Sequence, residues 1–159
     1  MAELKIVSWN VNGIRAAVKK GFFDWLNKEL PDILCLQETK ISAENLTSEL
    51  LEPPGYRSFW SHSEKKGYSG VTTWTKAKPT SIQNGFGVPE FDKEGRVIIS
   101  KYPGFTLCNV YFPNGKQSQE RLQYKLDFYD AFFAFLETLR KRGQRIVICG
   151  DVNTAHREI

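Results

Sequence analysis

Three segments that are predicted to be β-strands each end in carboxylate or amide side chains. Asn10 and Asn12 follow the first segment, Glu38 follows the second, and Asp151 and Asn153 follow the last. Ligands bind beyond the carboxyl ends of the strands in open α/β sheets. Side chains two residues apart on an extended backbone also point to the same side. We therefore expect these five side chains to form one polar site.

A purely structural explanation competes with this one, because Asn, Asp and Gly commonly begin turns after strands. Turn formation alone would explain any single strand end. Glu38 and Lys40 are not typical turn residues, however, and three similar strand ends in one chain favour a functional site.

The charges at these strand ends indicate a bound cation. Two carboxylates such as Glu38 and Asp151 repel each other by roughly 3 kcal/mol at about 5 Å and an effective dielectric constant near 20. The donors are oxygen atoms without a suitable set of His or Cys, which favours Mg²⁺, with Mn²⁺ as an alternative. A divalent ion can polarise a phosphodiester, and a nearby carboxylate can take the proton of the attacking water. The residues therefore predict metal-assisted hydrolysis of a phosphodiester.

The elements that carry these side chains begin with a predicted β-α-β unit. Residues 4–9 alternate like a strand, residues 20–30 have helical apolar spacing, and residues 33–36 form a continuous apolar run. Short β-leaning runs separated by turn residues then predict an antiparallel meander at residues 56–61, 71–75, 81–84, 96–100 and 105–111. An amphipathic helix at residues 118–142 and a strand at residues 145–150 follow. The sum is an α/β fold, a mixed sheet with helices packed on one side.

Length and composition fit one globular domain. The chain has 159 residues, of which 25% are charged, and its net charge of +4 permits a polyanionic partner without requiring one. Cys35, Cys108 and Cys149 lie in separate apolar runs, as reduced cysteines of an intracellular protein do. The first ten residues alternate like a strand rather than a leader, and no apolar run is long enough to cross a membrane. We expect a cytoplasmic protein with no membrane partner, nucleoid-associated or nuclear according to its source.

Six motifs occur in the order and approximate spacing of one enzyme family. They are Ser8-Trp9-Asn10-Val11-Asn12-Gly13-Ile14-Arg15, Leu36-Gln37-Glu38-Thr39-Lys40, Gly67-Tyr68-Ser69-Gly70-Val71, Glu94-Gly95-Arg96, Tyr111-Phe112-Pro113-Asn114-Gly115 and Gly150-Asp151-Val152-Asn153-Thr154-Ala155-His156. Together they resemble the exonuclease III family of apurinic/apyrimidinic (AP) endonucleases. The resemblance implies the DNase I-like fold, a four-layer α/β sandwich in which two sheets pack face to face with helices outside.

The resemblance also implies an activity and a metal site. The expected enzyme is a Mg²⁺-dependent DNA repair nuclease that cuts double-stranded DNA on the 5′ side of an abasic site, with 3′–5′ exonuclease activity as a further expectation. Glu38 is implied as the principal metal ligand, with Asn12 on the metal side. Asn10 is implied as a member of the hydrogen-bonded set that orients the catalytic groups.

The later motifs imply the remaining catalytic roles. Tyr111 is expected to contact the scissile phosphate, although a tyrosine at this strand end would also be ordinary at the edge of a core. Asp151 is expected to position or deprotonate the water or to assist the leaving group, with Asn153 holding it in line. His156 lies beside the predicted site, but a single histidine after a turn is more often a local hydrogen-bonding residue.

Several residues are candidates for contacts with DNA. Lys40 and Lys66 are placed to bind phosphates, and Tyr68 to lie against a groove. The family motifs add Arg15 and Asn114. An exposed lysine such as Lys66 is equally typical of an ordinary solvated surface.

The family resemblance has a consequence for the domain organisation. Its members continue well beyond the last motif present here, so residues 1–159 are expected to be the N-terminal half of a catalytic domain. The other half would carry the second sheet, an Asp-His pair and the pocket for the abasic sugar. Soluble monomers rarely expose large apolar patches. We therefore expect an apolar sheet face that is covered by the C-terminal half, by another polypeptide or by a second copy.

Two other functions are compatible with the same residues. A catalytically incomplete chain would act as a DNA-binding or partner-completed module. Related phosphodiesterases that act on phosphoinositides or other substrates share the carboxylate-amide core. Arg15 with Ala16, and the run from Lys66 to Gly70, favour DNA over those substrates.

Overall fold

The computed structural model describes residues 3–154, which form eight strands and five α-helices. The strands are β1 (Ile6–Asn10), β2 (Ile33–Gln37), β3 (Arg57–Ser61), β4 (Val71–Thr75), β5 (Ser81–Asn84), β6 (Val97–Tyr102), β7 (Phe105–Tyr111) and β8 (Ile146–Asp151). The helices are α1 (Ile14–Lys19), α2 (Phe22–Glu29), α3 (Ser48–Leu51), α4 (Pro89–Asp92) and α5 (Gln119–Lys141), with a 3-10 turn at Ala43–Asn45.

The strands form two mixed sheets of four strands each. The first sheet has the order β1-β2-β4-β3, with β1 parallel to β2 and the other neighbours antiparallel. The second has the order β5-β6-β7-β8, an antiparallel meander to which β8 adds in parallel. Asn10 is in register with Gln37, and Tyr111 with Asp151. Each sheet therefore brings two of the motif segments to one end.

Three apolar clusters define layers in the order helix, sheet, sheet, helix. Ile14 of α1 and Leu26 of α2 pack with β2 and β4 residues on the first sheet. Phe132 of α5 packs with β6 and β7 residues of the second sheet. A third cluster, which contains Ile33 and Leu107, joins the two sheets. The core is thus distributed over three interfaces, and the sheets face each other.

The α/β class with mixed sheets is confirmed, but the layering differs from the sequence prediction. We predicted one sheet with helices on one side and a second sheet outside this chain. The meander instead divides after β4, so that β5 to β8 form the second sheet, and the helices cover opposite outer faces. Short β-leaning runs separated by turns are compatible with one sheet or with two, because their spacing along the chain does not determine which strands pair.

Local sequence explains the two elements that were predicted most closely. Ser118 caps α5, since its side chain accepts a hydrogen bond from the Arg121 backbone N–H at 3.1 Å. Gly143, with φ of 74°, follows the end of that helix. Every residue of β2 is buried, as its continuous apolar run indicates for a strand covered on both faces. The short helices α1, α3 and α4, of four to six residues, were not predicted.

Several large apolar side chains remain exposed on α5 and β8. They include Leu126 and Phe133 of the helix, and Val147 and Ile148 of the strand. Among residues 3–154, β8 pairs with β7 alone, so its other edge is open. The uncovered apolar surface therefore lies mainly along this edge and on α5, rather than over a whole sheet face as expected. None of the helices in the described part of the chain has the length and apolar character needed to cross a membrane.

Candidate active site

The side-chain amide of Asn10 joins the carboxylates of Glu38 and Asp151. Its Nδ2 donates to Glu38 Oε1 at 2.9 Å and to Asp151 Oδ2 at 2.7 Å. Its Oδ1 accepts a hydrogen bond from the Asn12 backbone N–H at 2.9 Å. The ends of β1, β2 and β8 therefore meet at one place, as the strand endings predicted, and Asn10 connects the two sheets there.

A lysine supplies positive charge beside these carboxylates. Lys40 Nζ lies 2.9 Å from Glu38 Oε2 and also donates to Asn12 Oδ1. Both acceptors were predicted to face the metal, whereas Lys40 was predicted to bind DNA. Because paired carboxylates repel each other, the Lys40 ammonium provides part of the compensating charge that the sequence required.

The environment of Glu38 favours its ionised form. Burial of Glu38 raises its pKa, but hydrogen bonds from Asn10, Lys40 and Tyr111, together with the Lys40 charge, outweigh burial. The pKa of Glu38 is therefore lowered from its ordinary value. Glu38 and Lys40 also have φ values of 52° and 49°, which are uncommon for residues other than glycine. Such conformations concentrate at functional sites, where the surrounding structure holds them.

Tyr111 ends β7 and faces Glu38. Burial, followed by the hydrogen bond to Glu38 and the charge of Glu38, raises the pKa of the Tyr111 phenol well above its ordinary value. The phenol is protonated at neutral pH and lies beside the Glu38 carboxylate. The Arg96 guanidinium lies 4.8 Å from the Tyr111 ring centroid, and Arg96 Nη1 donates to the Tyr111 carbonyl at 3.1 Å. Arg96 thus holds this tyrosine by both its ring and its backbone.

Asn153 supports Asp151 through its backbone. The Asn153 N–H donates to Asp151 Oδ1 at 3.0 Å, so that both carboxylate oxygens of Asp151 accept a hydrogen bond. The Asn153 side-chain nitrogen donates to the Phe112 carbonyl at 2.9 Å. Asn153 therefore lies at the site, with its amide nitrogen bound to the backbone.

A cleft of about 310 Å³ opens beside these groups. Five predicted site residues line it, namely Glu38, Lys40, Tyr68, Tyr111 and Asn114. Asn10, Asn12 and Asp151 belong to the same constellation through the bonds described above. The cleft combines carboxylate, ammonium, phenol and amide groups, which are suited to bind and hydrolyse a phosphate ester.

Two of the predicted DNA-binding residues lie away from the cleft. Arg15 lines a neighbouring cavity of about 670 Å³, whose walls share Lys40 and Gly67 with the cleft. Lys66 Nζ pairs with Glu44 Oε1 at 3.0 Å, and its side chain is 82% exposed. Lys66 therefore has the ordinary solvated environment that was the alternative interpretation for this residue.

The sequence did not assign roles to three charged residues, Glu94, Arg96 and Arg121, of which Arg96 lines the cleft. Glu94 accepts hydrogen bonds from Arg96 and from Arg121 of α5. The motif Glu94-Gly95-Arg96 belongs to the family resemblance, but the local sequence indicates only a turn and the start of a strand at these residues. Arg121 lies on a helix that was interpreted only by its apolar positions. His156 lies outside the described residues.

The donors at the site fit a divalent cation such as Mg²⁺. Mg²⁺ commonly binds through one or two carboxylates, with water and substrate phosphates completing its ligands. Glu38 supplies one carboxylate, and Asn12 supplies an amide oxygen that already accepts a hydrogen bond from the Lys40 ammonium. These two oxygens thus already share a positive group. Within residues 3–154 no cluster of three or more His, Cys, Asp or Glu could hold a metal ion.

Two facing sheets between outer helices, with carboxylates and amides at the strand ends, define the fold class of DNase I-like phosphoesterases. The model of the endonuclease/exonuclease/phosphatase family matches residues 7–159. The chain belongs to this family.

The relatives carry the names of nucleases that act on DNA or at AP sites. The chain is 46% identical over 160 residues to "DNA repair nuclease APEX1" of Danio rerio, covering 99% of this chain and 51% of that protein. It is 39% identical to the "Exodeoxyribonuclease" of Bacillus subtilis, covering 98% and 61%. The structure of an AP endonuclease from Archaeoglobus fulgidus superposes with a TM-score of 0.84 at 32% identity, covering 98% and 59%. The chain therefore spans about half to three-fifths of these proteins.

Proposed function

We propose that the chain provides the catalytic site of a Mg²⁺-dependent DNA repair nuclease. Its reaction is hydrolysis of the DNA backbone on the 5′ side of an abasic site, with 3′–5′ exonuclease activity at the same site. The observation that carries the proposal is the amide of Asn10, which holds Glu38 and Asp151 together at the edge of the cleft. Relatives named as AP endonucleases and exodeoxyribonucleases support the choice of DNA.

The residues of the chain divide the chemistry between them. Mg²⁺ bound by Glu38 and Asn12 would neutralise charge on the scissile phosphate and polarise its P–O bonds. Asp151 accepts the proton of the attacking water, and hydrogen bonds from Asn10 and Asn153 hold its two oxygens in place. The Tyr111 phenol is protonated at neutral pH and lies beside Glu38, so it can donate a hydrogen bond to a phosphate oxygen as charge develops there.

Contacts with the DNA backbone surround this centre. Lys40 and Asn114 line the cleft and present an ammonium and an amide to phosphate oxygens. Arg15 lines the adjoining cavity, which continues the positive surface beyond the cleft. This arrangement supports a duplex that lies across both cavities.

We also propose that residues 1–159 are the N-terminal half of the catalytic domain. The exposed apolar side chains of α5 and β8, together with the open edge of β8, support a covering C-terminal half, with a second copy as the alternative. A chain that lacks this cover is expected to bind a dye specific for apolar surfaces, and light scattering measures whether it instead forms dimers.

The test is cleavage of a duplex that contains one abasic site, in the presence of Mg²⁺. The proposal predicts a nick on the 5′ side of the site, which is lost in Glu38→Ala and retained in the matched surface variant Glu137→Ala. Among residues 3–154, Glu137 pairs with Arg140 alone, on the exposed face of α5. A duplex without an abasic site and a phosphoinositide serve as substrate controls. Preferential hydrolysis of the phosphoinositide would contradict the proposal.

A catalytically incomplete, DNA-binding chain is the second candidate. The partial coverage of the relatives favours it, because the chain spans 51% of the Danio rerio protein. This candidate predicts specific binding of the abasic duplex with no cleavage at any Mg²⁺ concentration. Cleavage that depends on Glu38 would eliminate it.

A further inference from the structure

Two guanidinium groups converge on the phenol oxygen of Tyr68. Arg96 Nη2 donates to Tyr68 Oη at 2.9 Å, and Arg121 Nη2 donates to the same oxygen at 3.2 Å. Glu94 lies behind both arginines and accepts from Arg96 Nε at 2.7 Å and from Arg121 Nη1 at 2.9 Å. Tyr68 lies in the loop before β4, and Arg121 lies on α5. Glu94 lies in the turn before β6, and Arg96 directly precedes that strand. These four side chains form one hydrogen-bonded unit, here called the Tyr68 cradle.

The Tyr68 cradle is partly buried and carries net positive charge. The side chain of Arg96 is 2% exposed, that of Glu94 14%, and that of Arg121 24%. One carboxylate faces two guanidinium groups, so the cradle keeps one uncompensated positive charge close to the cleft.

The geometry at Tyr68 also fixes the direction of its proton. A phenol oxygen has one O–H to donate and limited capacity to accept hydrogen bonds. Two arginines use that acceptor capacity, so the O–H must point away from both of them. No residue in the range 3–154 accepts a hydrogen bond from this hydroxyl.

We propose that Glu94, Arg96 and Arg121 are positioning residues that make Tyr68 a dedicated hydrogen-bond donor to an oxyanion of a phosphate group in the cleft. Tyr68 lines the cleft together with Glu38, Tyr111 and Asn114, which places the donor beside the groups of the proposed reaction. The ligand class, a phosphodiester, rests on the proposed function. The direction of the O–H rests on the hydrogen bonds alone.

The first experiment is a titration of the intact chain with inorganic phosphate, followed by NMR of tyrosine labelled with ¹³C at Cζ. The Tyr68 signal is expected to move saturably in the wild-type chain. In Arg121→Gln we expect about tenfold weaker apparent affinity, because one charge-assisted donor no longer orients the phenol. Arg140→Gln is the matched control, since Arg140 lies on the exposed surface of the same helix and pairs with Glu137. A Tyr68 signal that phosphate does not move, or that moves equally in Arg121→Gln, would overturn the proposal.

A double-mutant cycle separates positioning from a general role of Arg121 in charge or folding. Phosphate affinity is measured for Tyr68→Phe, for Arg121→Gln and for the combined variant, with the Tyr111 signal as the reporter. If Arg121 acts through Tyr68, the combined variant binds phosphate no more weakly than Tyr68→Phe. Additive losses would show that Arg121 attracts the anion independently and would refute the positioning role. Tyr68→Phe leaves all three charged residues in place. If Arg121→Gln unfolds, the phosphate affinity of Tyr68→Phe still decides whether the Tyr68 hydroxyl is the donor, and an unchanged affinity refutes that role.

This test is independent of strand cleavage. A Tyr68 response to phosphate without any nuclease activity would preserve the cradle and refute the proposed function. Cleavage of abasic DNA with an unresponsive Tyr68 would preserve the function and refute the cradle.

Discussion

Replacement of Asn10 by Ala tests the contact on which the site geometry depends. In the wild-type chain the Asn10 amide donates to one oxygen of Glu38 and one of Asp151. The variant removes both bonds and leaves two carboxylates facing each other. The matched control is Asn45→Ala, which removes an exposed amide that donates to Ser42 Oγ.

The magnitude follows from the two distances. The bonded oxygens of Glu38 and Asp151 lie at most about 5.6 Å apart, the combined length of the two hydrogen bonds, where unit charges repel by about 3 kcal/mol at an effective dielectric constant near 20. Each charge-assisted bond contributes about 1.5 to 3 kcal/mol when buried, and this site is only partly buried. We therefore expect Asn10→Ala to lower the free energy of unfolding by about 2 to 4 kcal/mol at pH 7.

The pH dependence of this loss has a definite sign. The pKa of Glu38 is lowered in the folded chain, against the effect of burial, by hydrogen bonds of which that from Asn10 ranks first. The ionised group therefore stabilises the fold above its unfolded pKa of about 4.3, and this contribution disappears as the pH falls through the folded pKa. The difference between Asn10→Ala and the wild type should accordingly shrink between neutral and acidic pH.

Urea unfolding monitored by circular dichroism at several pH values measures this difference. An Asn10→Ala variant as stable as Asn45→Ala at pH 7 would refute the reasoning. So would a loss that does not change with pH, because it would show that the two carboxylates do not depend on this amide.

Three further predictions concern the site and its support. A Cβ at Gly150 would lie 1.8 Å from the Val110 carbonyl oxygen. Gly150→Ala should therefore separate β8 from β7 and lower the thermal midpoint of unfolding. The control is Gly104→Ala, where a Cβ meets no atom within 4 Å and the midpoint should fall far less. Phe128 lies on the buried face of α5 and is fully buried. Phe128→Ala should cost about 3 to 5 kcal/mol in urea unfolding, whereas a loss below about 1 kcal/mol would contradict this packing. Glu38→Gln should weaken the acid dependence of stability, because it removes a group whose folded pKa is lowered; an unchanged pH profile would show that Glu38 does not contribute.

The sequence predicted most strands and the long helix because their signals are local. The apolar run of β2 and the spacing along α5 each lie within one segment, and both elements occur within a residue or two of the predicted bounds. The division into two sheets depends on which distant strands pair. β4 pairs with β2 rather than with β5, and no local sequence pattern determines this pairing.

In the candidate site, too, the local features were predicted and the long-range contacts were not. Strand endings predicted that Glu38 and Asp151 would converge, because each acid lies directly after or at the end of its strand. The contact between Lys40 and Asn12 and the contacts of Arg121 with Tyr68 join residues far apart in the chain. Such pairs depend on how loops and helices are placed in space, so residue type and spacing did not reveal them.

The central proposal is that Glu38 and Asn12 hold one divalent cation at the cleft, next to Asp151. Mn²⁺ added to the isotope-labelled chain measures this directly, since the paramagnetic ion broadens NMR signals of nearby nuclei. The account predicts selective broadening at Asn10, Asn12 and Tyr111 that disappears in Glu38→Ala. Broadening centred elsewhere, or unchanged in Glu38→Ala, would contradict it.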